Sequence, residues 1–361
     1  MPRVAGYDYA IAGMGPAGVA AAYRLGRLGY RVVILEANPR PAVKPCGWGV
    51  PDAEWLPAPI PRGSVVARIR RARLLVDGSE AIRIEGWLSG YIVDKPDFLE
   101  ELAAQAGAEV TYRAPLLPHR GEARIPGRGL VRLDPSRSLA AVGNAYYPGE
   151  KIFALEYEVR LPEGCADPEE LLIDFDTRLV GYYWLFPAPG GLFQVGLGGY
   201  ADPQSLRGRL DRWVRRLPCR AEPATRPRGA PIAVGGLRLS SLAGIPVAGE
   251  SAGFVLPLTG EGIRPSMASG AAAAGALASG GDPLEAQKAI PAARAVAAQR
   301  RVLERVRRME PGERASLLAS IPPRVHAEVA LGSLRKAVIL RELSRRPRLA
   351  LRLLRLLGFS E

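Results

Sequence analysis

Apolar positions along the chain fall into two rhythms. Residues 7–12 (YDYAIA) and 31–35 (RVVIL) are short, nearly unbroken apolar runs typical of buried strands, and residues 16–28 between them carry helical spacing. Residues 65–76 and 81–84 alternate around Asp77-Gly78, which predicts a hairpin. Asp94 stands as an N-cap, Pro96 as a first-turn residue, and FLEELAAQA continues a helix to Gly107. Short strands with turns at Pro118, Gly121, Gly127 and Asp134-Pro135 are expected over 108–142. A second β region follows at 151–161, 171–175, 179–186 and 192–199. Residues 204–217 read as an amphipathic helix, 245–248 as a short strand and 263–278 as a helix of small residues. From 283 the pattern is helical, broken at Pro311, Pro322-Pro323 and Pro347.

Strands of one layer interrupt those of another, so the expected class is α/β with domains discontinuous in sequence. A Rossmann-like nucleotide-binding domain takes residues 1–60, 94–145 and 238–285. It is interleaved with a mixed β-sheet substrate domain of 61–93 and 146–237, and C-terminal helices follow over 286–361.

Composition narrows the class further. A chain of 361 residues exceeds what one core usually covers, and 48% apolar with 24% charged residues excludes a disordered or fibrous protein. No run reaches the roughly 18 strongly apolar residues of a membrane span. The chain start lacks the order of a signal peptide, so a cytoplasmic protein, soluble or peripheral at the inner membrane face, is expected. Lysine and arginine number 49 against 36 acids, a net charge of +13, and only five of those cations are lysine. Arginine forks suit anionic partners, yet base composition or a hot habitat accounts for the excess equally; 33 prolines fit thermophily. The arginines are dispersed without a recognisable RNA module, so no nucleic-acid partner is expected. Three cysteines and two histidines supply no familiar zinc spacing. Cys165 and Cys219 stay open between a disulfide and two inert thiols.

The chemistry begins at Gly13-x-Gly15-x-x-Gly18, which follows a strand and opens a helix, with a second strand ending at Glu36. Gly13 permits the tight turn, Gly15 lets backbone approach a pyrophosphate and Gly18 lets the helix sit close on the sheet. Glu36 is placed to accept from ribose hydroxyls and argues against a 2′-phosphate. The stretch 244–263 (GIPVAGESAGFVLPLTGEGI) favours FAD over NAD: Glu250 is placed to reach a ribityl chain, and Gly260-Glu261-Gly262 feeds a helix start that suits an anionic reduced ring.

With both ends read, the chain resembles the geranylgeranyl reductase family, FAD enzymes sharing the fold of p-hydroxybenzoate hydroxylase, over about residues 5–285. Beside the GMGPAG turn, KPCGWG at 44–49 is similar to the family's cysteine-glycine loop near the flavin. YYWLFP at 182–187 fits its Tyr-x-Trp-x-Phe-Pro substrate-cavity motif, and PLTGEGI at 257–263 resembles its flavin-contacting loop. The chain departs from the family at Glu250, where aspartate is usual, at Lys95, where arginine is usual, and at 140–145 (AAVGNA), which lacks Ala-Asp-Gly. The resemblance implies FAD contacts at Ala17, Glu36, Cys46, Gly47, Gly49, Lys95, Ala114, Glu250, Gly262 and Ile263.

The same resemblance implies reduction of isoprenoid C=C bonds in an archaeal-type geranylgeranylated glycerophospholipid. NADPH or ferredoxin would serve as electron donor, a choice the sequence leaves open. Cys46 would then assist proton delivery beside the flavin, against the alternative of a small packing thiol. Tyr182, Trp184 and Phe186 share one strand face and would line a polyprenyl tunnel; an ordinary sheet core is the alternative. The tail 335–355 holds eight cations against Glu342, and Arg348, Arg352 and Arg355 fall at helical spacing, which suits either a helix on an anionic membrane or a leucine face packed on the body. A flavin-dependent monooxygenase or halogenase of the same fold, and further off an RNA-acting flavoprotein, are the rival functions.

Overall fold

The computed structural model describes residue 4 and residues 6–52, 55–333 and 335–351. Arg352 and Arg355 lie outside the described residues. The two apolar runs become the strands Tyr9–Ala12 and Val32–Leu35, all eight residues buried, the centre of a parallel sheet ordered Ser138–Ala140, Tyr9–Ala12, Val32–Leu35, Glu109–Thr111. Ile11 pairs with Ile34 on one side and Leu139 on the other. Helix α1 (Pro16–Gly26) connects the two central strands, and α2 (Lys95–Gln105), capped by the Asp94 side chain, leads to the edge strand. Helix α4 (Ile263–Ser279) lies directly against α1. The approach is so close that a Cβ at Gly270 would overlap the Ala17 carbonyl.

A nine-stranded mixed sheet forms the second layer among the described residues. Its order runs Gly49–Pro51, Ser79–Val93, Val65–Val76, Glu170–Asp176, Gly181–Pro187, Phe193–Gly199, Lys151–Arg160, with Glu222–Pro223 and Arg228–Ala233 on the far edge. One face of this sheet is covered by α3 (Pro203–Val214), whose Leu206, Leu210 and Val214 pack on Tyr157, Leu185 and Leu197. The opposite face looks into the protein. One cross-strand row on that face runs Arg228, Glu156, Gly196, Trp184, Ile173, Leu74.

The hairpin predicted at Asp77-Gly78 is present, with a second strand extending to Val93 rather than ending at 84. The strand Arg228–Ala233 escaped the sequence reading because Pro231 hides the alternation; it pairs on one side only, where a missing N–H is tolerated. The C-terminal prolines initiate helices: α5 (Pro283–Ala289), α6 (Pro291–Val306), α7 (Pro311–Ser320) and α8 (Pro323–Leu331) each start on proline, before α9 (Lys336–Ser344). Arg314 of α7 donates to the Val306 and Arg307 carbonyls at the end of α6 and to the Thr177 carbonyl, fastening the helices to the second sheet.

Cys165 and Cys219 form a disulfide with Cα atoms 6.1 Å apart, closing a separation of 54 residues at the α3 side of the second sheet. Loop-closure entropy gives such a link about 2–4 kcal/mol of stabilisation. Reduction, or Cys165→Ser, is expected to lower the denaturant midpoint by the equivalent of that energy. Identical midpoints with and without reductant would mean that the link contributes nothing.

Candidate active site

A cavity of about 1130 Å³ lies between the two sheets and beneath the C-terminal helices. Its wall extends from the glycine turn and Glu36, past the loop at Cys46 and the aromatic strand, to Leu317, Val325, Ile339 and Leu343 of α7, α8 and α9.

At the glycine end, the Gly13 amide donates to the Leu35 carbonyl at 2.8 Å with φ +103°, a conformation glycine adopts freely. The buried Glu36 carboxylate accepts from the Met14 amide at 2.8 Å and from the backbone and side-chain nitrogens of Asn38 at 2.9 and 2.6 Å. It therefore locks the turn, Oε1 accepting twice from Asn38, while Oε2 retains one lone pair for a hydroxyl donor. Helix α1 starts at Gly15 and α4 at Gly262, neither residue having a side chain with which to cap its helix, and both starts lie on the cavity wall. The Glu261 carboxylate accepts from the Arg264 amide at 2.9 Å in the first turn of α4, whereas the α1 start has no side-chain partner and suits the pyrophosphate of a dinucleotide such as FAD.

Glu250 also reaches the wall, but its carboxylate is engaged. Lys44 Nζ lies 2.6 Å from both oxygens, and Asn144 Nδ2 and the Ala233 amide each donate to Oε1 at 3.2 Å. The AAVGNA segment thus contributes through Asn144. Lys95, buried at the start of α2, places its ammonium 5.8 Å from the Trp48 ring centroid.

The Cys46 loop is gripped from the second sheet at both of its backbone polar groups. The Cys46 amide donates to Glu156 Oε1 at 3.0 Å, and Gln194 Nε2 donates to the Cys46 carbonyl at 3.0 Å. Gln194 is fixed in turn by the Trp184 indole N–H, 3.0 Å from its Oε1. Trp184 lies over Gly196, where a Cβ would overlap the indole. Tyr182, Trp184 and Phe186 form a ladder with centroid spacings of 6.0 and 6.3 Å along the cavity floor. Phe186 packs against Gly47, and the Tyr182 hydroxyl donates to the Thr259 carbonyl in the PLTGEGI loop. Burial pushes the Tyr182 phenol up, so it remains a donor at neutral pH.

Glu156 is only 3% exposed, and this burial pushes its carboxyl up to about 7; the Cys46 hydrogen bond, Arg228 and Lys95 act in the opposite direction and Glu158 adds to the rise. His326, in the α8 part of the wall, is pushed down to about 4 by burial and stacks on Phe175 with centroids 6.5 Å apart. It is neutral at pH 7, in keeping with an apolar environment.

The structure therefore brings most residues singled out from the sequence to one wall: Gly13, Gly15, Ala17, Glu36, Cys46, Gly47, Gly49, Lys95, Glu250, Gly262, Ile263 and the three aromatics. Gly18 stands behind it, where a Cβ would strike the Gly13 carbonyl, and its role is close helix–sheet packing. Ala114 is fully buried outside the wall, its amide on the Glu36 carbonyl at 2.8 Å. Lys44, Glu156, Gln194 and Thr259 were not singled out. For Glu156 and Gln194 the only signal was their place in alternating strands, which marks a polar face without saying what that face meets.

No family model matches the chain. It is 30% identical over 298 residues to digeranylgeranylglycerophospholipid reductase 2 of Methanothermobacter thermautotrophicus, covering 72% of this chain and 74% of that one. Identity to geranylgeranyl diphosphate reductase of Rhodobacter capsulatus is likewise 30% over 298 residues, 74% of each chain. Among solved structures, a geranylgeranyl bacteriochlorophyll reductase-like protein of Thermoplasma acidophilum superposes with a TM-score of 0.73 at 20% identity, over 94% of this chain and 98% of that one. The expected fold is thereby matched over nearly the whole length, and at this identity and coverage of its relatives the chain belongs to the geranylgeranyl reductase family.

Proposed function

We propose that the protein is an FAD-dependent reductase of isoprenoid C=C bonds in geranylgeranyl groups, acting on a membrane glycerophospholipid. The observation that carries this reading is the continuity of one cavity from the glycine cradle to an apolar end beneath the C-terminal helices, floored by the Tyr182–Trp184–Phe186 ladder. In this reading the first sheet with α1, α2 and α4 is the cofactor domain and the nine-stranded sheet is the substrate domain.

FAD, when bound and reduced, supplies the electron pair and one hydrogen that an isolated alkene needs. An alkene offers no carbonyl to polarise, so the chain's contribution is alignment and exclusion of water. The aromatic ladder and the aliphatic wall hold a prenyl tail flat along the sheet. Glu36 and the α1 start would hold the nucleotide, the α4 start and the clamped Cys46 loop would hold the redox-active end of FAD, and the wall beyond would take the tail. Cys46, the one free thiol, lines the same cavity and is the candidate to hand a proton to the second alkene carbon.

Membrane contact through the C-terminus is part of the proposal. Among the described residues Leu340 and Leu351 are 66% and 57% exposed, in company with exposed Arg341, Arg345 and Arg348. Ile339 and Leu343 of the same region face the cavity. An apolar surface ringed by cations matches an anionic bilayer. No described helix is long and apolar enough to cross a membrane.

Three outcomes are expected. The purified protein carries the visible spectrum of FAD and, once reduced without oxygen, adds one H₂ per double bond to geranylgeranyl lipids by mass spectrometry; rapid hydroperoxyflavin formation with no lipid product would favour an oxygenase instead. Trp184→Ala is expected to cost about 3 kcal/mol of stability and to shift chain-length preference toward bulkier tails, whereas lost stability without a shift would make Trp184 ordinary core. Deleting 347–361 should abolish salt-sensitive binding to anionic liposomes, and undiminished binding would place the membrane contact elsewhere.

A further inference from the structure

The long strand Ser79–Val93 is interrupted by a bulge. Its pairing with Val65–Val76 passes from Glu85 opposite Arg71 to Gly90 opposite Ile69, so residues 86–89 stand against Arg70 alone. Gly86 opens the bulge at φ +73°, a conformation glycine adopts freely. A bulge re-aims side chains, and this one sends two neighbours to opposite destinations. Leu88 lines the cavity and packs on the cluster of Leu74, Ile82 and Ile84. Trp87 is 48% exposed, the only exposed one of the five tryptophans. On α9 the same division recurs, with Ile339 on the cavity and the adjacent Leu340 outside. At both places adjacent residues serve the two sides of one wall.

The corner around Trp87 is basic. The Arg324 guanidinium of α8 lies 5.9 Å from its ring centroid. Four residues earlier the Ser320 carbonyl accepts from Arg346 at 3.4 Å, which brings the cations that follow α9 to the same corner; Arg341, Arg345 and Arg346 are all exposed. Glu85 and Glu342 stand against them. Tryptophan beside arginine on an apolar rim is the composition of a bilayer interface, where indole settles at headgroup depth and guanidinium meets lipid phosphate. A second copy of the chain fits this face less well, because a two-fold contact would set the same arginines against one another.

We propose that the bulge at residues 86–89 is a membrane-docking element, with Trp87 its anchor, which seats the protein on an anionic bilayer so that the cavity wall at Leu88 and Ile339 lies at the lipid surface. It rests on the function proposed above and extends the membrane contact from the C-terminal helices to the nine-stranded sheet.

The test uses the full-length FAD-loaded protein and vesicles of phosphatidylglycerol and phosphatidylcholine without geranylgeranyl lipid, so docking is read apart from turnover. Trp87→Ala is expected to weaken co-sedimentation about tenfold, the effect of burying half an indole. The factor should be equal at low and high salt, since an apolar contribution is not screened. Vesicles with brominated acyl chains should quench wild-type tryptophan emission, and Trp87→Phe should bind nearly as well yet lose that quenching. Unchanged binding in Trp87→Ala, or equal quenching in wild type and Trp87→Phe, overturns the proposal. A lipid-free dimer of the wild type that dissociates in Trp87→Ala overturns it too, making the face a contact between copies. Should Trp87→Ala fail to fold, the quenching comparison with Trp87→Phe decides alone. On geranylgeranyl lipid held in vesicles Trp87→Ala should turn over more slowly than the wild type, with equal rates on detergent-dispersed lipid. Weakened docking in a protein that reduces neither form upholds the docking element and overturns the substrate class.

Discussion

One strand, Gly181–Pro187, holds the two loops of the candidate active site in register. Tyr182 reaches the PLTGEGI loop through the Thr259 carbonyl, Trp184 reaches the Cys46 loop through Gln194, and Phe186 packs on Gly47. Loops alone place such groups loosely, because their backbones lack the cooperative pairing of a sheet. Here the loops take their positions from a strand bonded on both sides within a nine-stranded sheet. The same side chains that floor the cavity therefore also position the loops that border it.

That economy accounts for what could be read from the residues beforehand. The glycine turn, Glu36 and the α4 start were legible because backbone geometry permits few alternatives there: a positive φ at Gly13 and a helix opening at Gly262 restrict the sequence directly. The aromatic ladder was legible as a face, since alternation has period two. Glu156 was not. In KIFALEYEVRL it falls on the face that alternation assigns to water, and the rule holds for soluble sheets with one face in solvent. In this sheet both faces are inside, one on α3 and one on the cavity, so a polar residue on the second face meets neither water nor core. The edge strand Arg228–Ala233 was missed for a related reason: its proline is tolerated only because one side is unpaired, which no local pattern announces.

The distribution of charge repays attention against the net +13. The excess of arginine lies mainly outside the cavity, while the groups nearest the proposed ring position form a small, nearly balanced set: Lys44 with Glu250, Lys95 and Arg228 near Glu156, Arg264 with Glu261. Pairing of this kind leaves little uncompensated field along the apolar wall, which a hydrocarbon substrate could not offset.

The absence of a side chain at Gly196 has an effect beyond making room. Because the Trp184 indole rests on bare peptide there, the thickness of the slot is set by ring and backbone alone, with no rotamer to relax. Under the function proposed above, a prenyl tail crossing that point would lie on an aromatic plane whose height the backbone fixes.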